Sequence, residues 1–250
     1  MNINIFRHEF RSRLKSILIW SLALTFLIVF FFSIFPAFSS EAKLMNEALA
    51  KFPPGLRAAF SMENMDLSTV LGFYSFIFLF VQLCLAIQAS NYGFGLVSIE
   101  ENEMTADFLL SKPVSRAQVL TSKLLAALAS LTLTNLVVWV SSFVSISLFR
   151  NENGYESSTL IKVLLSIVIF QLFFLSVGLV ISQLVKRVRS VTPYALGLAF
   201  GAYIVNAFTG VFKDVKLEYI TPFKHLDPTY IVQNGSYNTP LVLINVAVTL

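Results

Sequence analysis

Long uncharged apolar stretches alternate with shorter polar segments along this chain. A helix needs about 20 mostly apolar residues to cross the hydrocarbon core of a bilayer, and five stretches meet that length. They cover about residues 16–35, 67–90, 122–149, 161–185 and 191–212. A sixth apolar run, residues 239–250, would reach only about 18 Å as a helix at 1.5 Å per residue. We therefore expect the native chain to continue beyond it and to complete a sixth span.

This pattern predicts an all-α polytopic membrane protein, with one transmembrane domain over residues 1–250 and six spans in all. Composition agrees, because hydrophobic residues make up 56% of the chain and charged residues only 13%. A soluble domain of this size needs far more charge to cover its surface. The one cysteine, Cys84, lies inside an apolar run, so no disulfide can form within the chain.

Basic residues indicate which side of the membrane each loop faces. The N-terminal segment and the turn of Lys186, Arg187 and Arg189 are dense in positive charge, and the loop between the second and third spans lies on the same side of the membrane as both. Short loops rich in lysine and arginine stay in the cytoplasm, so we expect a multi-pass protein of the cell membrane with a cytoplasmic N-terminus. The net charge is only +4, and the basic residues lie in short clusters beside the spans. That distribution suits a membrane surface and not nucleic acid.

Residues 2–14 have the pattern of an amphipathic helix. One face is apolar and much of the rest is basic, with Ile3, Phe6, Phe10 and Leu14 on the first and Arg7, Arg11 and Arg13 on the second. The pattern is typical of an elbow helix, one that lies in the headgroup region before the chain turns into the membrane. A simple positive-inside anchor explains the pattern equally well.

Residues 98–114, between the second and third spans, are the most informative segment. Ser98 with Glu101, and Ser115 with Gln118, have the spacing of a capping box, which predicts a short helix followed by the start of the third span. Apolar residues stand close to acids in this segment: Glu100, Glu101, Glu103, Asp107, Phe108, Leu109 and Leu110. Exposed apolar side chains ringed by charge suit a protein-docking surface. Acids match an anionic inner leaflet poorly, which favours docking over a helix resting on lipid.

The run from Glu100 to Arg116, with Lys123 beyond it, resembles the cytoplasmic loop of permeases of the type-2 (exporter) ABC-transporter family. That loop has an acidic stretch, Gly-Thr, a Leu-Leu pair, then Pro-Val-Ser-Arg and a following lysine. One departure is Met104, where the family often has glycine. The basic amphipathic start, the six expected spans and the proline-rich segment before the sixth agree with the family. That segment, residues 213–238, is expected to form an outer loop, with turns marked by its prolines and by Asn234-Gly235. Its compact exporters of bacteriocins, antibiotics and peptide toxins are the branch we favour.

The resemblance implies a complex of two permease chains, identical or homologous, with two copies of an ATPase subunit. ATP and Mg would be bound by that ATPase, and this chain would hold no cofactor, no metal and no catalytic residue. A short helix after the second span would couple hydrolysis to the membrane part. The implied coupling residues are Glu100, Glu101, Glu103, Asp107, Phe108, Leu109 and Leu110, with Pro113, Ser115 and Arg116 shaping the turn. Phe6, Arg7, Phe10 and Arg11 would form the elbow helix.

Other classes of protein fit less well. The chain has no G-x-x-x-x-G-K-[ST] loop, so it depends on a separate ATPase if transport is ATP-driven. An intramembrane protease is disfavoured because the two histidines, His8 and His225, fall on opposite sides of the predicted membrane. A self-contained secondary transporter or channel is the alternative, although ion-coupled carriers usually place ionisable residues within their spans.

Away from their first two residues, the predicted spans carry amides and no charged residue: Gln82, Gln88, Asn135, Gln171, Gln183 and Asn206. Such amides more often hold helices together than bind substrate. Gly197 and Gly201, with Ala195 and Ala199, permit close helix packing, more commonly within one subunit than at an interface between two. A neutral, Phe-rich interior is a poor route for an ion. The composition therefore favours export of a hydrophobic or amphipathic substrate, such as an antimicrobial or toxin-like peptide, an antibiotic or a lipid.

Overall fold

The computed structural model describes residues 2–41, 44, 47, 48, 51–53, 55, 57, 65–102, 114–185, 188–209 and 216–250. Over these residues the chain is helical and has no β-strand. The long helices are α1 (Ile3–Ser40), α2 (Val70–Asn102), α3 (Arg116–Phe149), α4 (Ser157–Leu184) and α5 (Val191–Thr209). A 3₁₀ turn at Leu217–Tyr219 follows, and then the short helices α6 (Pro222–His225), α7 (Pro228–Asn234) and α8 (Thr239–Thr249).

Each of the helices α1 to α5 is long and apolar enough to cross a membrane. This finding confirms the predicted all-α polytopic membrane protein. The sixth apolar run forms α8, a helix of 11 residues. The second long helix continues to Asn102, well past the expected exit of its span near residue 90, because the polar residues after that point do not interrupt it.

The first helix is continuous over 38 residues. The sequence predicts an elbow helix at residues 2–14 and a separate span from residue 16, whereas no break separates the two in α1. The Asn2 side chain caps the helix by accepting hydrogen bonds from the N–H groups of Asn4 and Ile5. A 38-residue helix is about 57 Å long at 1.5 Å per residue. The hydrocarbon core is only about 30 Å thick, so α1 extends beyond it.

Helices α1 and α3 run side by side in the same direction. The Asn2 N–H donates to Ser122 Oγ at 2.8 Å, and the hydroxyls of Thr25 and Ser141 lie 2.8 Å apart further along. The first pair joins the starts of the two helices, and the second joins positions at similar distances from those starts. The first and third long helices therefore cross in parallel, as alternating spans must.

Helix α2 runs antiparallel to α3. The Tyr74 and Ser142 hydroxyls lie 2.7 Å apart, and at the other end Lys123 Nζ donates to the carbonyl oxygen of Leu96 at 2.7 Å. We call the end of the bundle that holds Asn2, Leu96 and Lys123 the N-terminal end, and the opposite end the distal end. The ends of α2 and α3 that flank residues 103–113 both belong to the N-terminal end.

A close crossing joins α2 to α4. A Cβ added to Gly93 would lie 2.3 Å from the carbonyl oxygen of Leu175, and one added to Gly178 would lie 3.1 Å from that of Ser90. Small residues allow the backbones of membrane helices to approach closely. These two glycines therefore set the separation of α2 and α4.

Helix α5 uses alanines, and not glycines, to pack within the described part of the chain. Ala195 and Ala199 are fully buried, whereas a Cβ added to Gly197 or Gly201 would meet nothing within 4 Å. Of the four small residues expected to pack inside one subunit, the two alanines do so among the described residues and the two glycines do not. The reason is geometric, because the two glycines lie on a different face of α5 from the two alanines.

Candidate functional site

The residues expected to contact an ATPase fall in and around the connection from α2 to α3. Glu100 and Glu101 belong to the last turn of α2, and Arg116 begins α3. Glu103, Asp107, Phe108, Leu109, Leu110 and Pro113 lie outside the described residues. The elbow residues Phe6, Arg7, Phe10 and Arg11 all lie in the first turns of α1, where the rings of Phe6 and Phe10 stack with centroids 6.1 Å apart.

A capping box fixes the start of α3. The Gln118 N–H donates to Ser115 Oγ, and the Ser115 N–H donates to Gln118 Oε1, both at 3.2 Å. This arrangement confirms the box predicted from the sequence. The predicted box at Ser98 is wrong, because α2 has not ended there and the Ser98 hydroxyl donates to the Phe94 carbonyl oxygen at 2.5 Å.

Lys123 joins the two helices that flank residues 103–113. Its side chain belongs to the second turn of α3 but is only 2% exposed, and its ammonium group donates to the Leu96 carbonyl oxygen at 2.7 Å. A cation is favourable near the C-terminal end of a helix, where carbonyl groups carry partial negative charge. The lysine therefore holds the start of α3 against the last turns of α2.

Arg13 joins α1 to the same part of α2. Its guanidinium pairs with Glu9 at 3.0 Å and lies 5.5 Å from the centroid of the Tyr92 ring. The Tyr92 hydroxyl in turn donates to Ser16 Oγ at 3.3 Å. Together with Asn2, Ser122 and Lys123, these residues form what we call the N-terminal polar cluster, which connects three helices beside the helix ends that flank residues 103–113.

At the distal end, the segment after α5 folds back into the bundle. The Phe223 ring packs against Phe170, Phe174 and Tyr203, with centroid distances of 5.1, 5.9 and 5.7 Å. Phe170 lies 13 residues after the start of α4, about 20 Å along that helix. The sequence predicts an outer loop marked by turns, but the segment is instead buried among the spans.

Polar contacts hold this re-entrant segment, residues 217–235, in place. Gln82 of α2 donates from Nε2 to the carbonyl oxygen of Leu226 at 2.9 Å. Asp227 caps α7 and pairs with Lys224 at 2.6 Å. The predicted turn at Asn234-Gly235 is confirmed, since Gly235 ends α7 with a φ of 59°, a value that favours glycine.

The start of α4 lies at the same end. The hydroxyls of Ser158 and Thr159 donate to the Glu156 carboxylate, and these bonds lower its pKa. The carboxylate therefore stays charged beside the N-terminus of α4, where negative charge is favourable. Lys162 of α4 donates to the carbonyl oxygen of Gly235 at 2.7 Å, which ties this helix to the end of the re-entrant segment.

None of these arrangements is one that performs acid–base or nucleophilic chemistry. Within the described ranges, no group of three or more His, Cys, Asp or Glu could hold a metal ion. The sequence did not reveal the partners of Arg13 and Lys123 or the depth of Phe223. In the sequence, Arg13 stands out only as part of a basic face, and Lys123 only as a lysine after the Pro-Val-Ser-Arg run. Phe223 stands out only by the prolines near it.

Five membrane-length helices in alternating directions, with a polar cluster at one end and a re-entrant segment at the other, define a polytopic helical membrane protein. The family model of the ABC-2 family transporter proteins matches residues 3–247, and the chain belongs to this family. It is therefore the membrane component, or permease, of an ABC transporter. Neither the curated proteins nor the solved structures gave a significant match.

Proposed function

We propose that this permease is the membrane subunit of an ATP-driven exporter, and that residues 98–114 receive a separate ATPase subunit. Family membership supplies the general setting. The observation that carries the proposal is the contact from Lys123 to Leu96. A coupling segment must transmit force to the spans, and this contact fixes the two helix ends between which residues 103–113 run.

The route of transmission follows from the N-terminal polar cluster. A displacement of the segment would move the end of α2 and the start of α3 together, because Lys123 joins them. The first helix would follow, since Arg13 packs on Tyr92 of α2 and Asn2 bonds to Ser122 of α3. Three of the long helices would then respond as one unit to the ATPase.

The proposed assembly contains two such permease chains, identical or homologous, and two ATPase subunits that bind ATP and Mg. The proposed substrate is hydrophobic or amphipathic, a peptide, antibiotic or lipid. Among the described residues of the long helices, the buried charged side chains are Arg13 and Lys123, both at the N-terminal end. The middle of the described bundle has no buried charge to pair with a charged substrate, which favours an uncharged one.

Leu109→Asp combined with Leu110→Asp is expected to abolish binding of the ATPase. Two carboxylates in an apolar docking surface would have to be desolvated on association. The measurement is co-purification of the ATPase from the neighbouring gene through a tag on the permease. A matched control is Ile220→Asp, which places the same charge on a residue 65% exposed at the distal end.

The control should retain the ATPase while the double variant loses it, with both proteins inserted and monodisperse. Retention of the ATPase by the double variant would place the docking surface elsewhere. Failure of the unaltered permease to bind the ATPase, despite being stable alone, would favour a self-contained carrier or channel.

The N-terminal end of the bundle is expected to face the cytoplasm. In a Cys84→Ala background, His8→Cys should resist a membrane-impermeant maleimide in intact cells, and Ile220→Cys should react with it. Both positions should react after the membrane is permeabilised. The reverse pattern in intact cells would place the coupling segment on the outer side, where no cytosolic ATPase could reach it.

A further inference from the structure

A cavity of about 230 Å³ lies between α3 and α4. The gap arises because α3 packs chiefly along α1, whereas α4 packs chiefly along α2. Aliphatic side chains form most of the cavity wall, and its polar members are Thr132, Asn135, Trp139 and Gln171. Gln171 lies 14 residues from the start of α4 and 13 from its end, so the cavity is at mid-span depth.

Three polar groups around this cavity are buried without a hydrogen-bond partner in the described parts of the chain. Asn135 Nδ2 donates to Gln171 Oε1 at 2.7 Å, which leaves Asn135 Oδ1, Gln171 Nε2 and Trp139 Nε1 unpartnered. If both side-chain amides were flipped, so that Gln171 donated to Asn135, one donor and one acceptor of the pair would still lack a partner. Gln171 is only 1% exposed, so a molecule in the cavity reaches these groups when the two amide side chains turn towards it.

We propose that this cavity binds an uncharged amphipathic molecule that carries an amide, or a similar donor–acceptor pair, on an apolar body. The unpartnered carbonyl and N–H groups complement such a pair, and unsatisfied buried polar groups are costly to the fold. No charged side chain lines the cavity, so none there would balance the charge of an ion. A neutral ligand with a polar centre and apolar ends therefore fits both its chemistry and its depth.

The ligand enters from the lipid phase. Three lining residues of the rim, Leu136, Leu165 and Val168, are 55%, 45% and 45% exposed on the outer surface of the bundle. A phospholipid chain could fill the space but has no hydrogen-bonding group at this depth, because its polar groups stay at the interface. Binding requires neither ATPase nor nucleotide, so it is tested separately from the exporter proposal.

The chain has two tryptophans, and Trp139 is in the cavity wall. A Trp20→Phe permease in phosphatidylcholine nanodiscs therefore reports on the cavity through Trp139 alone. Two brominated quenchers differ only in the central group: N-hexyl-4-bromobenzamide has an amide where 1-bromo-4-octylbenzene has two methylenes. At equal membrane concentrations, we expect the amide to quench saturably, with half-saturation at a concentration at least tenfold lower. Equal quenching by the two compounds would overturn the proposal.

Substitutions in the cavity test whether the amides are responsible. Asn135→Leu with Gln171→Met should remove the preference for the benzamide while keeping the apolar cavity. Gln88→Met is the matched control, since Gln88 is a buried amide that donates to Thr134 and is not among the lining residues. The control should keep the preference.

The converse reporter, Trp139→Phe, retains only Trp20 of α1 and should be quenched equally by both compounds. If the benzamide quenched Trp20 with the same preference as Trp139, the proposal would be contradicted. Persistence of the preference for the benzamide in the Asn135→Leu, Gln171→Met variant would also contradict it. Absence of quenching at Trp139 by both compounds would also overturn it, because water or a second protein chain would then occupy the cavity.

Discussion

Gly93→Ala is expected to destabilise the permease by roughly 3 kcal/mol, the upper part of the usual range for overpacking a core. The new methyl group would meet the carbonyl oxygen of Leu175 at 2.3 Å. That atom belongs to the backbone of α4 and cannot turn aside as a flexible side chain can. Relief therefore requires α4 to move away from α2, with the loss of packing along both helices.

The measurement is the temperature at which the monodisperse peak is lost in size-exclusion chromatography after heating. Gly201→Ala is the matched control, because a Cβ there would meet nothing within 4 Å. Alanine is favoured over glycine inside a helix by about 1 kcal/mol, so the control should be unchanged or slightly more stable. Equal stability of Gly93→Ala and the native protein would mean that α2 and α4 are further apart than described.

Lys123→Met is expected to reduce transport per ATP hydrolysed by roughly tenfold, within the usual range for coupling between two sites. The change keeps the length of the side chain but removes the ammonium group that bonds to Leu96. The start of α3 could then move without α2. Folding should be little affected, because methionine keeps the buried apolar stem and removes the cost of burying an ammonium group.

The assay compares transport and ATP hydrolysis in proteoliposomes that contain the complete complex. Thr121→Val, an exposed position two residues earlier on the same helix, is the control and should leave the ratio unchanged. If the Lys123→Met complex unfolded at a lower temperature but kept its ratio of transport to ATP hydrolysis, the lysine would be purely structural.

The sequence predicted the elements that depend on local pattern. The five spans follow from the length of the apolar stretches, and the cap at Ser115 follows from the spacing of Ser115 and Gln118. The family follows from a short motif that ends near Arg116. Each of these features depends on residues that are close together in the sequence. The structure confirms the helical membrane fold, and the family match confirms the resemblance to type-2 ABC permeases.

The features that the sequence did not predict depend on residues far apart in the chain. Gly93 lies beyond residue 90, where the sequence predicts that the second span ends, but the close approach of Leu175 makes it a crossing point. Prolines at 222 and 228 mark turns at any depth, so they did not distinguish a surface loop from a segment that reaches Phe170. Tyr92, on which Arg13 packs, and Leu96, to which Lys123 donates, belong to α2, and periodicity within a single helix carries no information about such contacts.

The pairing of α1 with α3 also has a consequence for biosynthesis. Asn2 and Ser122, which bond to each other, are 120 positions apart, so the first helix enters the bilayer long before its main partner leaves the ribosome. Until then, side chains that are later buried, such as Ser21 and Ile28, face lipid or the insertion machinery. A nascent chain arrested after α2 exposes this unpaired surface, which gives quality control a means of recognising incomplete permeases.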